Sequence, residues 1–88
     1  MPTISMFFGI VIRMYFGKSE HMPPHFHAYY QDFDASISIE TGELLEGSLP
    51  TRQMKFVLAW AEIHKEELLA DWKLTMNGER PLPIDPLR

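Results

Sequence analysis

The hydrophobic pattern of this 88-residue chain changes period once, near Pro50, and that change limits the folds open to it. Before it, apolar residues recur at every second position, the repeat of a strand with one buried side. After it, they recur at every third or fourth position, the repeat of an amphipathic helix. Strands come first and helices second, in a chain long enough for one domain only.

In the first half, Met6, Phe8, Ile10, Ile12, Met14 and Phe16 form an apolar set, while Phe7, Gly9, Val11, Arg13 and Tyr15 form a mixed one. This alternation predicts one long first strand. Pro23-Pro24 holds the next loop extended. A second strand is expected over His25–Gln31, with Phe26, Ala28 and Tyr30 facing inward and His25, His27 and Tyr29 outward. Asp32-Phe33-Asp34 reads as a turn. Ala35, Ile37 and Ile39 then alternate with Ser36, Ser38 and Glu40 in a third strand. Thr41-Gly42-Glu43 reads as a hairpin loop, with Gly42 free to take positive φ, and Leu44–Gly47 as a short fourth strand.

Ser48 is the expected helix cap, and Pro50 suits a first turn. Met54, Val57, Leu58, Ala61, Leu68, Leu69, Trp72 and Met76 hold the helical spacing until the stop signal Asn77-Gly78. One straight helix over that span would be ~40 Å long, against ~23 Å for a seven-residue strand. A change of direction is therefore expected near His64–Glu66. Trp60 lies off the strongest stripe, and burial in the core is the reading adopted for it. Three prolines make Arg80–Arg88 an extended strap. The fold class is α+β: a four-stranded, mostly antiparallel meander over residues 1–49, one bent helix or two helices over 50–77 packed on one sheet face, and a tail over 78–88.

Composition narrows the chemistry. A chain this short buries roughly 60–65% of the surface its unfolded form exposes, so the core is thin. The absence of cysteine excludes disulfides, thiolate metal sites and cysteine nucleophiles, and suits a reducing compartment. No secretory leader is evident, and the apolar run Ile4–Tyr15 is too short for a membrane span. A soluble cytoplasmic protein is expected. The whole net charge of −4 lies in the first 49 residues, where Arg13 and Lys18 face six carboxylates. Such a chain is a poor nonspecific nucleic-acid binder.

The strand alternation sends Arg13, Tyr15, His25, His27, Tyr29, Ser36, Ser38 and Glu40 to the sheet face away from the core. Three uses of that face follow from residue chemistry. Arg13, Tyr15 and Tyr29, with Ser36 and Ser38, can anchor a protein partner, since Tyr and Arg dominate interface hot spots. His25 or His27 can serve as general acid or base, with Arg13 on a phosphate and Tyr29 positioning it. His25 and His27 can bind zinc or nickel if His21, Glu40 or Asp34 supplies a third ligand. Tyr29 and the histidines are thus shared between competing readings.

The segments Met1–Ile10, Pro23-Pro24-His25-Phe26-His27-Ala28 and Ile39-Glu40-Thr41-Gly42-Glu43 resemble the DUF4160 family of bacterial proteins. So do Gly47-Ser48-Leu49-Pro50, Leu58-Ala59-Trp60-Ala61 and Glu66-Glu67-Leu68-Leu69 before Trp72. The loop Lys18–Met22 departs from the family pattern, where members often carry a shorter acidic, asparagine-containing segment. The family has no agreed activity and no established catalytic residues. Its genes often neighbour one for another small protein, a layout like that of toxin–antitoxin pairs. The resemblance therefore implies a small companion protein from an adjacent gene. A homodimer through a sheet edge or the open face is a further expectation. The chain is expected to be an interaction module of such a pair, with a small ribonuclease or phosphoryl-chemistry toxin as the alternative and a histidine metal site as the second.

Overall fold

The computed structural model describes residues 2–15 and 22–88. Five strands, β1 (Thr3–Phe7), β2 (Ile10–Arg13), β3 (His25–Tyr30), β4 (Phe33–Ser38) and β5 (Leu44–Gly47), are followed by α1 (Thr51–Ile63) and α2 (Lys65–Met76). The strands form one antiparallel sheet in sequence order.

There are five strands rather than four because the expected first strand folds back on itself. Phe8 and Gly9 both take positive φ, +51° and +77°, and make a two-residue turn between Phe7 and Ile10. Such turns match the right-handed twist of the flanking strands. The turn reverses the parity of the alternation. Phe7, Ile10, Ile12 and Met14 go inside, whereas Met6 is 61% and Phe8 56% exposed. Phe16, the last residue of the expected apolar set, lies outside the described residues.

The other boundaries move by little. The β3–β4 turn is Gln31-Asp32, with Gln31 at φ +51°, so Phe33 opens β4 instead of sitting within a turn. Gly42 takes φ +78° in the β4–β5 loop. Ser48 does not cap α1: the capping position is Pro50, and no side chain bonds there. The Ser48 N–H instead donates to the Asp34 carbonyl at 2.8 Å, which fastens the exit from β5.

The helical half breaks at His64, between α1 and α2. Trp60 is wholly buried, its ring centroid 5.4 Å from that of Phe7 and 5.8 Å from that of Phe26. Its indole N–H donates to the Asp85 carbonyl at 2.8 Å. The tail is thus a strap, fastened also by Ile84 N–H to the Ile4 carbonyl (2.7 Å) and Leu82 N–H to Asp71 Oδ1 (3.0 Å). Burial pushes the Asp71 carboxyl above its ordinary range, which the Leu82 N–H partly offsets. Among the described residues, no helix is long and apolar enough to cross a membrane.

Gly47 closes β5 at φ +77°, and a Cβ there would lie 2.1 Å from the Asp34 carbonyl oxygen. Both the conformation and the backbone contact exclude a side chain. Gly47→Ala should lower stability by about 2 kcal/mol or more. An unchanged urea midpoint would contradict this account of the β4–β5 closure.

Candidate functional site

The register builds the outer sheet face in rows. Thr3 pairs with Arg13, Arg13 with His27, His27 with Ser36 and Ser36 with Glu46, so one row crosses all five strands. A second row, two residues further along β3, runs Met6, Val11, Tyr29 and Asp34. A third pairs His25 with Ser38. Phe26 and Ala28 between them are fully buried. Strand parity therefore places Arg13, His25, His27 and Tyr29 on one face, as the alternation predicts.

These side chains touch one another. The Arg13 guanidinium carbon sits 5.3 Å from the Tyr29 ring centroid, and its Nε–H donates to Thr3 Oγ1 at 3.4 Å. The arrangement is a cation–π contact. The Tyr15 and Tyr29 hydroxyls share a hydrogen bond. The Tyr15 ring meets His27 edge to face at 4.5 Å, and the His27 ring lies 5.2 Å from that of His25. Ser36 Oγ is 3.2 Å from His27 Nδ1. His25 Nδ1–H donates to the Pro23 carbonyl at 2.8 Å, so Nε2 holds the lone pair of the neutral ring.

The face is closed at one end. The indole of Trp72, in α2, lies 5.1 Å from the His25 ring and is almost entirely buried. Sequence patterning identified Trp72 as core, but its contact with His25 depends on how α2 returns past the sheet. Beside His25 is a shallow depression of about 240 Å³, lined by Met22, Pro23, His25, Ser36, Leu45 and Glu46. Leu45 enters it through a register irregularity: Ile37 pairs with Leu44 and Ser36 with Glu46, so Leu45 is the extra residue. Glu46 and Thr3, the ends of the long row, escaped the sequence reading because neither stands out without the register.

Other expected members fall away. Ser38 is only 4% exposed, and its Oγ accepts the Thr41 N–H at 3.3 Å. It shapes the β4–β5 loop and is too buried to meet a partner. Glu40 lies in that loop, where its carbonyl accepts the Lys65 ammonium at 2.8 Å. His21, the expected third metal ligand, lies outside the described residues. Among the described residues, no three His, Asp or Glu side chains gather as a metal site.

Tyr29 has a pKa pushed up to about 12, first by burial, then by its hydrogen bond to Tyr15 and that hydroxyl's charge, with Asp34 adding to the rise and Arg13 opposing it. At neutral pH it is a hydrogen-bonding group, not a base. Because the folded value lies above the ordinary 10.0, this group's contribution to stability is intact below pH 10 and is lost as pH rises through about 12. Tyrosinate absorbance should show one tyrosine still protonated near pH 11 to 12, and Tyr15→Phe should bring that transition down. The absence of any tyrosinate transition above the ordinary 10.0 would contradict the paired-hydroxyl geometry.

The sequence model of a family described as a domain of unknown function, DUF4160, matches residues 9–73, which hold the outer-face residues from Val11 to Glu46 and both helices as far as Lys73. No curated protein and no solved structure matches the chain. With well over half of its length matched, the chain belongs to the DUF4160 family.

Proposed function

We propose that this chain is a protein-interaction module whose docking surface is the outer face around Arg13, Tyr15, His27 and Tyr29. Its partner is the small companion encoded beside it, in a bacterial pair of toxin–antitoxin type that works in the cytoplasm. The observation carrying the reading is the half-exposed cluster in which Arg13 stacks on Tyr29 and Tyr29 bonds Tyr15. Aromatic and guanidinium groups held rigid before binding lose little side-chain entropy on contact, which is what makes hot spots of Tyr and Arg. Exposed Met6 and Leu45 extend the apolar area on the flanks.

One observation favours a ribonuclease as second reading. The Pro23 carbonyl fixes the His25 tautomer and directs chemistry to Nε2, as a general acid or base requires. Against it stand the six carboxylates of the first 49 residues and the neutral Tyr29.

Co-expression with the companion should yield a complex that survives gel filtration. Tyr29→Ala or Arg13→Ala should weaken it about tenfold or more, whereas His25→Ala should leave it largely intact. Separate elution of the two wild-type proteins would sink the docking reading. Growth arrest with RNA cleavage, lost in His25→Ala, would favour the ribonuclease.

A further inference from the structure

Arg13 and Glu46 stand in the same five-strand row, three strands apart, and carry opposite charges. Strands are spaced about 4.8 Å apart, so the two lie roughly 14 Å from each other, too far to pair. Among the described residues, neither takes part in an ion pair; the pair found there is His64 with Glu67, on the helices. Glu46 is exposed, and Arg13 donates through Nε alone, to Thr3. The row thus ends its four-strand stretch in two unanswered charges of opposite sign.

We infer that the outer face self-associates, a second copy of this chain docking on it through a two-fold axis. The inference rests on the docking reading above and names an occupant of that face in the absence of the companion. A two-fold axis parallel to the strands, between β3 and β4, lays each row over its own reverse. Arg13 of one copy then meets Glu46 of the second, and His27 meets Ser36. In the next row Tyr29 meets Asp34, an exposed carboxylate, and the Tyr15–Tyr29 hydroxyl pair retains one proton to donate outward. An axis across the strands would set Arg13 against Arg13 and Glu46 against Glu46. Charge therefore selects one of the two symmetric arrangements, and isologous contact satisfies both ends of the row at once.

Apolar contact comes from Val11, Tyr15, Tyr29 and Leu45, the last 41% exposed. The contact lies beside the end that Trp72 closes, with the Tyr29 row displaced away from it. Five short strands offer a face of roughly 25 by 15 Å. Such an interface buries under about 1,000 Å² in total, the low end of specific contacts. An interface this small belongs to the weak, reversible class, so the companion can displace the second copy.

Analytical ultracentrifugation of the isolated chain from about 5 µM to about 1 mM reads this directly. A concentration-dependent monomer–dimer equilibrium is expected. Arg13→Glu and Glu46→Arg should each raise the dissociation constant about tenfold or more, and the two together should return it to within about threefold of wild type. A monomer throughout that range overturns the dimer. So does a dimer indifferent to both single changes, or one that the double change fails to restore. Failure here leaves the companion complex and its dependence on Tyr29 as they were, so the two readings fail separately.

Discussion

Phe26 seated under Trp60 decides which way the histidine-bearing face looks. Phe26 is wholly buried, and its ring lies 5.8 Å from the indole. With that residue fixed inside, strand alternation leaves His25 and His27 no choice but the opposite side. A slip of one residue in β3 would put both imidazoles in the core and Phe26 in water, and would break the ring contact between Phe26 and Trp60. Trp60 also meets Phe7 of the first hairpin and donates to Asp85 of the strap. One indole therefore joins β1, β3 and the tail.

The outer face is organised by neutral groups at its centre and charges at its margins. Burial and the Tyr15 hydroxyl hold the Tyr29 proton to high pH, so the residue beneath Arg13 presents a ring and not a phenolate. The guanidinium is consequently stacked but not neutralised. Asp34 and Glu46 lie toward the β5 side, and Arg13 toward the β1 side. A surface with that polarity discriminates strongly by orientation, because like charges brought together cost more than a misplaced apolar contact.

Residue patterning revealed the inward and outward sets of β3 because Phe26 and Ala28 alternate with polar neighbours without interruption. It also located the helix break, since the span from Pro50 to Met76 exceeds what a sheet this size can cover in one straight line. It missed the first turn. Phe8-Gly9 carries a bulky aromatic where Asn or Asp is usual, and the apolar alternation runs through it unbroken, so a hairpin looks like a strand. The row that ends in Glu46 was invisible for a different reason. It depends on the extra residue Leu45, and no local propensity announces a register shift between two strands. Ser38 was misjudged because parity places it on the outer face, while the β4–β5 loop folds over it.

The edges of the sheet resist pairing, which is why the proposed association is assigned to the face. β1 gives up its Ile4 carbonyl to the Ile84 N–H of the strap, so one of its backbone acceptors is already used. β5 is four residues long, contains the irregularity at Leu45, and ends at Gly47 in a conformation that turns the chain away. Glu46 adds a charge to the same strand. Short length, a bulge and a charge are the devices by which sheets discourage edge pairing. Exposed Leu44 and Leu45 would otherwise invite it. The bulge instead turns Leu45 toward His25 and Ser36, transferring apolar surface from an edge that resists pairing to a face that offers Arg13, Tyr15 and Tyr29 beside it.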